Sequence, residues 1–458
     1  MFRGWSMLDA LKVMPRYQSY KDSGIDWLGE VPEDWDVRRL KNCASINPPL
    51  RLTETERKGN ACFLPMESVS ADGKVDYSRI KEAKCLVQGF TSFRKDDVII
   101  AKITPCFENG KGACLDTMPT SIGFGSTEFH ILQANTNSDS KFLYYLSKSD
   151  EFMKFGEQMM TGSAGQKRVS TDFVENFLFA SPSLHEQTAI ATYLDRKTAQ
   201  IDQAVQIKQQ QIALLKERKQ ILIQNAVTRG LNPDVPLRDS GIEWIGEIPA
   251  HWAVKRLKYI LEERNERSKT GEEPLFMVSQ VHGLVLRSEY HDKAEVAQSN
   301  IDNKIVYKND LVFNKLKAHL GVFFKSNIEF EGIVSPDYAV YKPKAYISDL
   351  KFLELLFRHP AYIGQFVIRA TGIVEGLIRL YTGDLFDISV PVPPKDEQEN
   401  ILTHIETQST KIDQAIDLQQ QQIERLKEYK ATLINSAVTG KIKVPGVAAK
   451  GQPRGEAA

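Results

Sequence analysis

The sequence predicts an α+β chain: two related α/β domains joined by two long antiparallel coiled-coil helices, an internal repeat with pseudo-two-fold symmetry. Three observations lead there. Residues 22–41 (DSGIDWLGEVPEDWDVRRLK) match residues 239–258 (DSGIEWIGEIPAHWAVKRLK) at 13 of 20 positions without a gap. Residues 186–229 match residues 397–440 at 21 of 44 positions, again without a gap. The segments between these matched ends have diverged, and the second is six residues shorter, since the offset falls from 217 to 211. Such a duplication outranks local signals, because each repeat is one structural unit.

Composition bounds the answer without naming a function. At 458 residues the chain can hold two or three domains with substantial cores. It is 42% hydrophobic and 26% charged, and no apolar run reaches the length of a membrane span. No secretory signal is read in the opening residues, MFRGWSMLDALKVMPRYQ, and Met7 and Met14 leave the start codon open. All five cysteines (Cys43, Cys62, Cys85, Cys106, Cys114) fall in the first variable region without CxxC spacing, which favours a reducing cytoplasm over a zinc site or disulfide framework. With 59 basic and 59 acidic residues there is no global attraction to nucleic acid. A DNA binder of this composition needs a local basic surface or a basic partner.

The repeat divides the chain into a tail over 1–19, a domain over 20–183, a helix over 184–230, a domain over 231–394, a helix over 395–440 and a flexible tail over 441–458. In each domain a Trp-rich lead-in comes first. Trp27 and Trp35, with Trp244 and Trp252, recur beside repeated Ile, Leu and Pro, and read as a packing clasp. Short apolar runs follow. Val98-Ile99-Ile100-Ala101 and Leu311-Val312-Phe313-Asn314 read as strands, each after a Lys-Asp/Asn-Asp turn. Next, KFLYYLSKSDEFMKFGEQMM and KFLELLFRHPAYIGQFVIRA each suggest one or two amphipathic helices, closing on Thr161-Gly162 and Thr371-Gly372.

Prolines then precede Glu and Gln in ASPSLHEQ and PVPPKDEQ, a helix start signal. From there a 3.5-residue spacing places Leu194, Ile201, Val205, Ile212, Leu215 and Leu222 on one seam. Ile405, Ile412, Ile416, Ile423, Leu426 and Leu433 form the other. Lys208, Lys219, Gln419 and Lys430 interrupt the seams, which suits a coiled-coil pair of defined register. Forty-odd residues make a rod of roughly 60 Å. Because the first helix leads from one domain to the other, rods that pair along their length must run antiparallel. The IDQA tetrads at 201–204 and 412–415 sit on the rods. They are consistent with solvated faces, with a partner that docks on both rods alike, or with shared ancestry.

Candidate DNA contacts are basic or amide side chains on turns. Gln166, Lys167 and Arg168 lie in a Gly/Ser-rich loop and suit purine edges in a major groove. Their second-half counterpart holds Gly376 and Arg379. Lys102, Lys315, Lys317 and His319 follow the apolar strands. Arg38, Arg39 and Lys41, with Lys255, Arg256 and Lys258, suit phosphate, which positions a protein without reading sequence. Asn47-Pro48-Pro49-Leu50 is similar to the Asn/Asp-Pro-Pro-aromatic motif of adenine-N6 methyltransferases, but leucine replaces the stacking aromatic and no Gly-rich cofactor loop precedes it. His185, His282 and His404 fit no metal spacing.

The order of lead-in, variable region, Pro-x-x-x-Glu-Gln (182–187 and 393–398) and long helix, all repeated over about residues 20–440, resembles the specificity subunit of type I restriction–modification systems. That resemblance implies two target-recognition domains, each reading one half of a bipartite site on double-stranded DNA. It implies helices that space the domains and dock two methyltransferase subunits, with restriction subunits added outside. It also implies a non-catalytic chain with no cofactor of its own. S-adenosylmethionine, ATP and magnesium would belong to the partners, and the complex to the cytoplasm, with no membrane involved. The rival readings are a stand-alone DNA adenine methyltransferase and a coiled-coil scaffold without DNA specificity.

Overall fold

A computed structural model describes residues 14–163, 165–280, 282–290, 300–372 and 378–446. The chain forms two units. One comprises residues up to Gln209 together with those from Gln420 onward, and the other runs from Gln210 to Gln419. Each is a mixed α+β domain carrying the start of one long helix and the end of the other. The long helices span Leu184–Arg229 and Lys395–Val438.

In the first unit the lead-in folds as an antiparallel ribbon, Tyr20–Asp22 against Glu30–Pro32. The strand Asp36–Arg39 then pairs with Leu178–Ser181, which runs directly into the first long helix. A four-stranded sheet follows in the order Ala44–Ile46, Phe129–Ala134, Val98–Ala101, Gly112–Cys114. A second sheet, in the order Ile80–Glu82, Asn60–Leu64, Ile122–Gly125, Thr91–Arg94, includes one parallel pairing. Val98–Ala101 is buried along its whole length, as an apolar run in a sheet covered on both faces should be.

The turn before that strand explains the Lys-Asp-Asp signal. Asp96 adopts a positive φ of 70°, and the Asp97 carboxylate accepts the Arg94 N–H at 2.7 Å. The second unit repeats the device. Asn309 has φ 62°, and Asp310 accepts the Tyr307 N–H at 2.9 Å. Its main sheet has the matching order Leu261–Glu263, Tyr338–Pro343, Leu311–Asn314, Phe323–Lys325. Among the described residues of its variable region two further ribbons form, Phe276–Ser279 with Gly283–Leu286 and Lys304–Val306 with Gly332–Val334. The amphipathic stretches resolve into two helices each: Ser140–Leu146 and Asp150–Gln158, then Lys351–Leu356 and Pro360–Arg369. Asp139 and Ser149 cap the first pair through the N–H groups of Phe142 and Phe152.

Both clasps are packing devices. Trp35 and Trp252 are fully buried. Trp27 stacks on Phe177 and meets Phe155 edge-on, and Trp244 meets Tyr362 edge-on. A glycine in the left-handed region follows each long helix, Gly230 directly at φ 76° and Gly440 after Thr439 at φ 73°, where glycine closes a helix without strain. Neither position has room for a side chain. A Cβ on Gly440 would lie 2.5 Å from Pro32 Cδ, and one on Gly230 2.9 Å from Glu397 Oε1.

The Pro-x-x-x-Glu-Gln motif likewise acts locally. Gln187 and Gln398 are buried amides. Gln187 Oε1 accepts the Asp139 N–H at 2.9 Å, and its Nε2 donates to Pro182 O at 2.9 Å. Gln398 Oε1 accepts the Ser348 N–H at 3.1 Å, and its Nε2 donates to Pro393 O and Tyr346 O at 2.9 and 2.7 Å. A buried amide left unpaired costs about 1–3 kcal/mol, so each glutamine ties a helix start to its own domain.

Within each unit the two long helices pack antiparallel. Leu194, Ile201, Leu426 and Leu433 are buried in the first unit's main core, with Val205 half-buried against it. Ile405 is buried in the second unit's core, with Leu222 packed beside it. Ile412, Ile416 and Ile423 are buried as well, and Ile212 and Leu215 are half-buried. The repeated aspartates of the IDQA tetrads reach across to the opposite helix. Asp202 pairs with Lys430 at 2.7 Å, and Asp413 with Lys219 at 2.7 Å. Neither aspartate is a free face awaiting a partner.

The tails need correction. Ile442 and Val444 are buried in the first unit's core, and the Lys443 N–H donates to Pro15 O at 2.7 Å. Tyr17 donates its hydroxyl to Glu186 at 2.7 Å. Chain on both sides of the expected boundaries, from Met14 and up to Val444, therefore belongs to that core: its apolar side chains cover the clasp.

Candidate nucleic-acid interface

The loop candidates converge on one end of each main sheet. In the first unit Ala101 pairs with Phe129, so Lys102, just after one strand, lies beside Glu128, just before the other. The segment from Thr161 to Arg168 folds back on itself through a bridge between those two residues. The Val169 N–H then donates to Lys102 O at 2.8 Å, fastening the segment to the sheet end. Arg168 forks onto Glu128, with Nε to Oε2 at 2.9 Å and Nη2 to Oε1 at 2.8 Å. The guanidinium holds the Glu128 carboxyl below its usual range, and the Lys102 charge adds to this. Gln166 and Lys167 are exposed at the tip.

The second unit builds the same frame from different residues. Asn314 pairs with Tyr338, placing Lys315 beside Asp337. Thr371 bridges Arg379, and the Leu380 N–H donates to Lys315 O at 3.2 Å. Arg379 meets Asp337 at 3.3 Å. Lys315 also lies 3.9 Å from Glu263, and burial together with the Lys304 charge lowers its pKa. Lys317 is exposed. The side chain of His319, and Gly376, lie outside the described residues.

The lead-in cations sit elsewhere in each domain. Arg38 pairs with Asp36 at 2.8 Å. Arg39 and Lys41 both donate to Asn176 Oδ1, at 3.1 and 2.9 Å, at the end of the helix Thr171–Asn176. Arg256 is 3.6 Å from Asp387, and Lys255 lies 5.0 Å from the centre of the Tyr346 ring. Lys255, Arg256, Tyr259 and Tyr346 line an open hollow of about 560 Å³. These side chains are spoken for within the fold, but on half-exposed surface where such contacts are weak and exchangeable.

The methyltransferase-like tetrad has a structural occupation. Asn47 stands at φ 50°, and its Oδ1 accepts the Ile131 N–H at 2.9 Å. Its Nδ2 lies 3.2 Å from His130 Nδ1 and 3.4 Å from Thr171 Oγ1. The amide therefore closes the edge of the main sheet and is not held open for a base. Among the described residues no cluster of three or more His, Cys, Asp or Glu could hold a metal, and no helix is long and apolar enough to cross a membrane.

Sequence reasoning missed the acids Glu128 and Asp337. The signal was present: GFGSTEF and GIVSPDY align at an offset of 209, placing the two acids at one position. Strand register is needed to bring them to the arginines.

Two related α+β domains each place an arginine, an acid and a lysine at one end of the main sheet, and each is tied to the long helices. Residues 32–217 match the family model of the type I restriction modification DNA specificity domain. The chain is 37% identical over 194 residues to the EcoAI type I restriction enzyme specificity subunit of Escherichia coli, covering 42% of this chain but 32% of that relative. The chain thus spans about a third of the length of that relative. A putative type I specificity subunit of Methanocaldococcus jannaschii, MjaX, is 24% identical across 93% of this chain and 98% of its own length. The fold matches a chain from a structural study of type I restriction–modification complex assembly, with a TM-score of 0.68 and 16% identity over 89% of this chain and 98% of that one. It also matches the HsdS subunit of Thermoanaerobacter tengcongensis, with a TM-score of 0.56 and 15% identity over 90% and 98%. Residues 32–217 thus match a type I restriction modification DNA specificity domain, and the chain is similar over nearly its whole length to a type I specificity subunit.

Proposed function

We propose that this chain is the DNA sequence-recognition subunit of a type I restriction–modification complex, each domain reading one half of a bipartite site. The observation that carries the reading is the shared frame with unlike tips. Both domains fasten a hairpin to the same sheet end, yet the residues between the bridged pair are GSAGQK in one and GIVEGLI in the other. Base contacts specify and backbone contacts position, so two unlike tips on one frame suit two different half-sites. The long helices set the number of base pairs between the half-sites and dock two methyltransferase subunits, with restriction subunits outside them. The chain itself is non-catalytic and works in the cytoplasm. S-adenosylmethionine, ATP and magnesium are bound by the partners.

The rival methyltransferase reading loses its main support, since Asn47 is committed to Ile131 and His130. The test is selection from a random pool of duplexes by the full chain co-expressed with its methyltransferase partner. A two-part motif with a fixed gap is expected, and the absence of any sequence preference would refute the proposal. Exchanging residues 42–181 for those of another family member should alter one half-site only. Alteration of both would sink the modular reading.

A further inference from the structure

We infer that Arg168 and Arg379 are equivalent anchors for the DNA sugar–phosphate backbone, each oriented by an acid, Glu128 or Asp337, that is itself not a DNA contact. The inference rests on the recognition reading above and assigns a division of labour within it.

Its basis is a coincidence of position in two domains that have otherwise drifted apart. In each, an arginine follows the bridged hairpin, an acid precedes the long strand of the main sheet, and a lysine ends the neighbouring strand. The hairpins differ in length by one residue and share almost no sequence, and the other sheets differ in topology. The arginine–acid–lysine set survives all of this.

Stability does not explain its persistence. Arg168 and Arg379 keep 41% and 37% of their side-chain surface exposed, and Asp337 keeps 57%. Part-exposed pairs contribute little to folding, and although Glu128, 24% exposed, holds Arg168 by two bonds, the single 3.3 Å contact of Arg379 with Asp337 has no such geometry. A contact to a feature common to both half-sites does explain it, and the common feature of any two DNA sequences is the phosphate backbone. The geometry fits. Glu128 takes Nε and one edge of the Arg168 fork, and Gln166 O takes one Nη1 hydrogen at 3.2 Å. Of the five guanidinium N–H groups two then remain, on a fork whose plane the carboxylate fixes. Lys102 and Lys315 supply a second positive charge beside each anchor.

The test uses the full chain co-expressed with its methyltransferase partner, a mixed-sequence 40-base-pair duplex, and selection from a random duplex pool. Arg168→Ala and Arg379→Ala should each weaken binding of the mixed-sequence duplex several-fold, and the slope of log K against log salt should shrink by about 0.9. The selected motif should stay the same. Glu128→Gln removes a charge that opposes phosphate while keeping an acceptor for the guanidinium, so it should bind at least as tightly as the parent. A purely structural pair predicts that Arg168→Ala and Glu128→Gln behave alike, and that result would overturn the inference. So would a motif altered in one half-site, which would make the arginine a base reader, or arginine variants with parental affinity and salt slope. Failure of the parent to select any motif would instead refute the recognition reading itself.

Discussion

Asp97 offers a test whose sign can be worked from the fold. The residue is 4% exposed, and burial pushes its pKa from the ordinary carboxylate range up to about 6, against the pull of the Arg94 N–H at 2.7 Å and Gln133 at 3.4 Å. A folded pKa raised above the unfolded value of about 3.9 means that the fold prefers the protonated acid. The penalty is therefore small below about pH 4, grows between about pH 4 and 6, and is constant above. At about 1.4 kcal/mol per pKa unit it amounts to about 3 kcal/mol at pH 8, about half that at pH 5, and about 0.5 kcal/mol at pH 4. Asp97→Asn keeps an acceptor for the Arg94 N–H and carries no charge, and Gln133 can turn its amide to match. The variant should be more stable than the parent at pH 8, with the gap closing as pH falls. Urea unfolding followed by tryptophan fluorescence reads this as a shift in midpoint, which serves even if the two units unfold separately. A variant less stable at pH 8, or a difference independent of pH, would refute the reasoning.

Burial raises the pKa of the equivalent Asp310 as well, with the Arg264 guanidinium opposing the rise, but here substitution also breaks a buried ion pair, and that loss should reverse the direction at neutral pH. Arg264 grips it at 2.8 and 3.1 Å, so Asp310→Asn strands a guanidinium that is only 21% exposed and should cost about 1.5–3 kcal/mol in the same unfolding assay. The cross-helix pair of Asp202 and Lys430, at 2.7 Å, should give a favourable coupling of about 0.2–1 kcal/mol in a double-mutant thermal cycle with alanine, and a coupling of the opposite sign would refute the antiparallel register. Trp252→Phe should cost at least about 1 kcal/mol more than Trp35→Phe in chemical unfolding, because Trp252 Nε1 donates to Glu397 at 3.1 Å, whereas Trp35 Nε1 has no hydrogen-bond partner among the described residues. Equal costs would show that the clasp glutamate contributes nothing through that bond.

What could be read from the sequence was whatever local chemistry decides. The α+β class and the paired long helices follow from a heptad seam and from strands announced by Lys-Asp-Asp and Lys-Asn-Asp, where the third residue caps the turn from within reach of its own backbone. What could not be read was set by register between distant segments. Glu128 meets Arg168 only because Phe129 pairs with Ala101 and because Val169 is bonded to Lys102. The aspartates of the IDQA tetrads could be placed on a helix, but only the antiparallel pairing turns them toward Lys430 and Lys219. The tails were misjudged for a related reason. Ile442 and Val444 make too short an apolar run to signal a core, yet they are buried in the core that the Trp35 clasp provides.

The two clasps show how a repeat can keep its positions while exchanging its bonds. Glu186 and Glu397 occupy the same place in the two Pro-x-x-x-Glu-Gln motifs. Glu397 accepts Trp252 Nε1 and lies 2.7 Å from His251 Nε2. Glu186 instead accepts the hydroxyl of Tyr17, which also meets the Trp35 ring edge-on. Position 34 is aspartate where the second copy has His251, so the first clasp lacks one of the donors that Glu397 uses, and a tyrosine from the N-terminal segment supplies it. Identity between the repeats therefore reports the shape that must be filled around each tryptophan, while the hydrogen bonds are refilled from whatever chain lies nearby. The hairpins follow the complementary rule: there the frame bonds are kept and the residues they display are replaced. Each kind of freedom falls where its physical cost is lowest, in a part-exposed donor at the clasp and in the exposed Gln166 and Lys167 at the first unit's sheet end.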